Sequence, residues 1–189
     1  MSEPMSTPTT GLLASPADLA ERLHVDAADA GLLLALRRAS SRLEGAIGYP
    51  VLRVDDDVVT LTGDGSRRLL LPARPVVAVT SVVVDGAALI DADYTWSRWS
   101  GIMRRAAGHV WPDELDVVEV TYTHGWDVVP GDIQDAVLEQ AEQTYNVEPA
   151  IASRGSGSES VAYFATASTG VTQRWVDVVD RYRLAGDDA

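Results

Sequence analysis

The sequence predicts an α+β fold, mostly α with a small antiparallel β insertion, in the order helix, helix, β-region, helix, linker, helix. Three observations carry this. Apolar residues recur at steps of three and four towards both ends of the chain. Between about 58 and 123 the period drops to two, in short β-branched runs broken by Gly, Pro and Asp-Gly. An apolar content of 46% in 189 residues is enough for a compact core and too high for a disordered chain.

Residues 1–14 are rich in Ser, Thr and Pro and are expected to be flexible. Ser15-Pro16-Ala17-Asp18 combines an N-cap, a proline at the first helical position and a first-turn carboxylate, opening a short helix through about His24. Asp26 and Asp29 repeat the device. The next helix carries Leu32, Leu36, Ala39, Leu43 and Ala46 on one face, broadened by Leu33 and Ile47, and stops at Gly48-Tyr49-Pro50. The β-region follows, with Val59, Leu61, Leu69, Leu71, Val77, Val79, Val118, Val120 and Tyr122 alternating, and a loop-rich middle holding Trp96, Trp99 and Trp111. Helical period returns at Asp132, which can cap, with Ile133, Ala136, Val137, Ala141 and Tyr145 on one face. Residues 146–170 read as a linker, Gly/Ser-rich at first, and 171–184 as a helical arm capped by Thr172. The core is thus expected over 15–145.

Charge narrows the function. There are 28 Asp and Glu against 15 Arg and no Lys, giving a net charge of −13. Static DNA binding needs clustered cations and is disfavoured. Absence of cysteine removes disulfides and thiolate metal sites. No run approaches a membrane span, and MSEPMSTPTT lacks the build of a signal peptide, so synthesis in the cytoplasm is expected.

Candidate chemistry is sparse. His124, in TYTHGWDVVPGDIQ, has no obvious partner in the sequence, although an unrecognised site around His124 and Asp127 stays open. Gly155-Ser156-Gly157-Ser158 lacks the strand–turn–helix setting of a nucleophile elbow. Asp55-Asp56-Asp57 lacks the spacing of a calcium loop and reads as a solvated acidic turn. Gly63-Asp64-Gly65-Ser66 is too short for a phosphate loop. Asp113, Glu114 and Asp116 have no arguable pocket. No catalytic residue, metal ligand or cofactor is expected. Instead Gly125 supplies a positive φ, Pro130 stiffens the approach to the helix, and Trp126 covers the joint. His124, Gly125, Trp126, Pro130 and Asp132 form a structural corner.

Four stretches in order resemble the head-tail connector (adaptor) proteins of long-tailed bacteriophages. They are ASPADLAERLHVDAADAGLLLALRRASSRLEGAIGYP, TLTGDGSRRLLLPARPVVAVTSVVVDG, VEVTYTHGWDVVPGDIQDAVLEQA and QRWVDVVDRYRL. The resemblance spans about residues 15–184 apart from the linker. It implies a virion neck protein, made in the host bacterial cytoplasm, that forms a ring, usually dodecameric, beneath the portal protein. Such a ring extends the DNA channel, lets double-stranded DNA pass without specific binding, and offers a platform to the stopper or head-closure protein. Another neck or tail-completion protein, a stopper or tail terminator, is the alternative, disfavoured by the helices at both ends.

The arm carries the expected portal contact. Trp175, Val178, Val179 and Tyr182 share a stripe flanked by Arg174, Arg181 and Arg183. As a docking element it would offer Trp175 as an anchor, with Arg174 and Arg183 reaching carboxylates of the portal. The competing expectation is that the stripe folds back on the core.

Overall fold

A computed structural model describes residues 11–147 and 170–184. The chain is α+β and divides into two compact units. Of the described residues, the first takes 11–47, 129–147 and 170–183, and Gly48–Val128 make up the body of the second.

The helical unit contains α1 (Pro16–Leu23), α2 (Ala30–Ile47), α3 (Gly131–Val147) and α4 (Gln173–Tyr182). Ser15 caps α1, its side chain accepting from Ala17 N–H, and His24 ends it in the left-handed conformation. Asp29 rather than Asp26 caps α2: Asp29 Oδ1 accepts from Leu32 N–H at 2.8 Å, while Asp26 holds Ala28 N–H in the preceding turn. Gly48, at φ +93°, follows its last turn. The expected stripe is buried at Leu32, Leu36, Ala39, Leu43 and Ile47. α3 packs against α1, α2 and α4, burying Ile133, Ala136, Val137, Leu138 and Ala141.

Three expectations about this unit change. Residues 11–14 are not loose: Leu13 is 1% exposed and its N–H donates to Ser40 Oγ at 3.1 Å. A buried apolar side chain beside a buried hydroxyl explains why a Ser/Thr/Pro-rich composition misled there. Asp132 lies inside α3 rather than before it, since the helix begins at Gly131 and its first bond runs from Gln134 N–H to Pro130 O. Residues 146 and 147, assigned to the linker, continue α3; the remaining linker positions up to 169, like residues 1–10, lie outside the described residues.

The β unit holds two antiparallel sheets. In the larger, β1 (Val54–Leu61), β7 (Val118–His124), β3 (Val76–Val84) and β4 (Ala87–Ala88) lie in the order β1-β7-β3-β4. In the smaller, β2 (Arg68–Leu70), β6 (Ile102–Arg105) and β5 (Tyr94–Trp96) lie in the order β2-β6-β5. Alternation sorts the faces. Val118, Val120, Tyr122 and Val82 are buried on the large sheet, Leu69, Met103 and Tyr94 on the small one, and Trp111 is fully enclosed. Asp55-Asp56-Asp57 is not a turn but part of β1, where a bulge between Val54 and Asp57 takes up the extra residues.

Candidate functional site

The His124 corner can be built from β7 outward. Val54 and Val76 flank His124 in register on the two sides of β7, which leaves the imidazole 1% exposed. Burial would orphan both ring nitrogens, but the bulge in β1 turns Asp57 inward. Asp57 Oδ2 lies 3.2 Å from His124 Nε2, so Nε2 carries the proton and donates. The partner that the sequence did not reveal is therefore in the acidic run. Tyr122 lies beside it, ring centroids 4.9 Å apart. Desolvation pushes the His124 pKa below its ordinary value, against the opposing pull of Asp57. Burial holds the Tyr122 phenol well above its usual range.

Gly125 follows at φ +89°. A Cβ there would lie 2.7 Å from the carbonyl carbon of Leu52 and 2.9 Å from Arg53 Cα. No other residue fits both the dihedral and the space. Gly125 N–H donates to Pro75 O, Trp126 N–H to Val51 O, and Arg53 N–H to Trp126 O, stitching the end of β7 to two other segments of the β unit. Asp127 is held by Arg53 at 3.1 Å, not by His124. The imidazole itself is enclosed at 1% exposure, and Asp57 is the half-buried member of the pair. Of the five corner residues, His124, Gly125 and Trp126 belong to the β unit, Pro130 and Asp132 to the helical unit. Pro130 O accepts from Gln134 N–H in the first turn of α3.

The arm stripe is not offered to solvent. Trp175, Val178 and Val179 are buried, and α4 packs on α2 and α3. Thr172 caps the helix, accepting from Trp175 N–H at 3.1 Å. Polar ties reinforce the seat: Arg174 reaches Asp135 at 2.9 Å, Arg181 reaches Asp132 at 2.8 Å, and Tyr182 O–H donates to the same carboxylate at 3.0 Å. Asp132 thus anchors α4, and its Oδ1 also accepts from Ile133 N–H at 3.0 Å in the first turn of α3. Arg183 and Val176 lie towards solvent. The apolar stripe is engaged within the helical unit, so a free Trp175 anchor is replaced by helix packing worth roughly 1.5–3 kcal/mol per buried side chain.

Surface features concentrate on the β unit. Trp111 is core, with Arg105 over its ring at 5.4 Å, but Trp96 and Trp99 are 37% and 64% exposed. Arg68 and Arg104 stand directly opposite each other on β2 and β6, both exposed. The pairs Arg67-Arg68 and Arg104-Arg105 were visible in the sequence, but only strand register aligns two of them. At an end of the large sheet Asp85, Glu114, Asp116 and Glu119 surround a shallow cleft of about 550 Å³ beside Leu115, which is 80% exposed.

Among the described residues no group of three or more His, Asp or Glu side chains is placed to hold a metal ion, and no helix is long and apolar enough to cross a membrane. No protein-family model and no curated protein matches the chain. Solved structures do. The chain is similar in fold to a component of the neck of a native GTA particle computed with C12 symmetry, at 23% identity and TM-score 0.57, over 98% of this chain and 95% of that one. It is equally similar, at 21% identity, to one from the neck of an empty GTA particle computed with C6 symmetry, with the same TM-score and coverage. A chain of the virion of a native gene transfer agent (GTA) particle matches at 23% identity, TM-score 0.57, with the same coverage.

Proposed function

We propose that this chain is a structural neck protein of a phage-like particle and acts as a head-tail connector, a subunit of a ring seated on the portal protein. The observation that carries the reading is the fold likeness along nearly the whole of both chains to components of particle necks with twelve-fold and six-fold symmetry. The enclosed His124 supports a role through surfaces rather than catalysis. In this reading the ring continues the DNA channel, double-stranded DNA passes without specific binding, and the far side receives the stopper. An acidic chain suits a channel wall along which DNA must slide, since basic walls would hold it. The portal contact is made by α4 with its outward side, Arg174, Val176 and Arg183, while Trp175, Val178, Val179 and Tyr182 seat the helix.

Co-expression with the portal protein of the same particle tests this. The proposal expects the two to co-purify and to show a ring of added density on one end of the portal. Failure to co-purify, with both proteins folded, would overturn the connector reading.

A further inference from the structure

The small sheet raises a problem of charge. Antiparallel pairing sets Arg68 and Arg104 side by side on the solvent face of β2 and β6, an arrangement that like charges make unfavourable. Among the described residues neither side chain has an ion pair or a hydrogen bond, in a chain with 28 acidic residues and 15 basic ones. Next to them on the same face stand Leu70, 43% exposed, and Ile102. The turn that joins β5 to β6 adds Arg98, stacked on the exposed Trp99 ring at 5.2 Å. Leu70 and Ile102 beside the unmatched Arg68 and Arg104 make a surface suited to an acidic partner.

The chain itself carries that partner's chemistry. The acidic tip presents Glu114, Asp116 and Glu119 around Leu115. It is held in shape. Asp116 N–H donates to Thr62 Oγ1 and Asp85 N–H to Val117 O, and both aspartates adopt the left-handed conformation at φ +54° and +49°. A preorganised tip loses little entropy on docking.

We propose that the Arg68–Arg104 face of the small sheet, with Leu70, docks on the acidic tip of a second copy of this chain, around Glu114 and Leu115. The contact is heterologous, joining two different patches, which is the kind that closes copies into a ring. It rests on the reading of this chain as a ring subunit and names the surfaces that ring would use. Net charge opposes self-association, so the contact is weak in isolated protein and forms when subunits are aligned. DNA is the competing occupant of an arginine face. Two aligned arginines neutralise too few phosphates to hold a duplex against a net charge of −13.

The chain has no cysteine, so single cysteines report contacts cleanly. Leu70→Cys and Leu115→Cys proteins, each folded by circular dichroism, are mixed in equal amounts with portal present and oxidised. The proposal expects disulfides between the two variants to exceed random pairing by about tenfold. Adding Arg68→Glu and Arg104→Glu to the Leu70→Cys protein returns the ratio to random. Adding Glu114→Arg and Glu119→Arg to its partner restores it. Random pairing in the first mixture, or cross-linking indifferent to the reversals, overturns the proposal. So does duplex DNA binding that Arg68→Glu with Arg104→Glu abolishes while cross-linking persists. A ring that forms on portal with random cross-links defeats this contact and leaves the connector reading intact; no association with portal or self defeats both.

Discussion

The two units handle their charges differently. In the helical unit Arg22, Arg174 and Arg181 meet Asp135 and Asp132 of α3, and α4 is seated by an apolar stripe as well as by those pairs. In the β unit the interior is as well packed, yet Arg68 and Arg104 face solvent beside exposed Leu70, and the acidic tip keeps exposed Leu115. The helical unit ties these three arginines to its own α3, whereas the β unit pairs Arg53 with Asp55 and Asp127 but, among the described residues, leaves Arg68 and Arg104 without an ion pair. Stability should therefore be most sensitive to changes at the α4 seat, and assembly to changes on the small sheet.

The largest effect is expected from removing α4. A protein ending at residue 160 uncovers the surfaces of α2 and α3 that Trp175, Val178 and Val179 cover, at a cost of about 5 kcal/mol. Its melting temperature should fall by roughly 10 °C or more, and Trp175→Ala in the full chain should cost about 3–5 kcal/mol by denaturant titration. An unchanged melting temperature in the truncated protein would make α4 a free arm after all.

The β unit has its own vulnerable point. Gly125→Val must take a β-branched residue to φ +89° and force its Cβ into the Leu52 backbone, an expected loss of about 3 kcal/mol. Equilibrium unfolding measures it. A loss below about 0.5 kcal/mol would mean the turn relaxes to another conformation.

His124 gives a smaller, pH-dependent effect. Its folded pKa lies below 6.5 because burial disfavours the imidazolium, whereas the unfolded residue titrates at the ordinary value. The unfolded chain then takes up the proton first, so stability present above about pH 6.5 is lost as pH falls towards the folded pKa. Each unit of displacement is worth about 1.4 kcal/mol. Urea midpoints between about pH 7.5 and 5.5 should fall more steeply in the wild type than in His124→Gln, whose amide can still donate to Asp57. Equal slopes would show that His124 does not drive the loss.

Arg68→Glu with Arg104→Glu should change stability least, within about 0.5 kcal/mol, since neither residue has a partner to lose among the described residues. Asp132→Ala, by contrast, removes the partner of both Arg181 and Tyr182 and should cost about 1–3 kcal/mol. Paired melting curves compare them. If the arginine reversal were the more destabilising, the contrast between the units would be reversed.

How much of this was legible beforehand follows from how local each cause is. Ser15, Thr172 and the stripe on α2 act within a turn or two, and they placed three of the four helices closely. Asp55–Asp57 failed because a bulge depends on the pairing of β1 with β7, more than sixty residues away. The same pairing gives His124 its carboxylate, so the partner could not be seen by scanning near the histidine. The seat of α4 was open in the sequence between docking and folding back. Only the packed faces of α2 and α3, with Asp132 and Asp135 turned towards Arg181 and Arg174, decide it. Arg68 and Arg104 are unremarkable until β2–β6 register aligns them.

The proposed ring contact sets the Arg68–Arg104 face of one copy against the Glu114 region of the next. An electron cryomicroscopy reconstruction of this chain assembled on its portal tests that most directly. The expected result is a closed ring in which Arg68 and Arg104 of each copy lie within ion-pair distance of the Glu114 region of the next. A ring whose copies meet elsewhere, with the small sheet facing solvent, would contradict it.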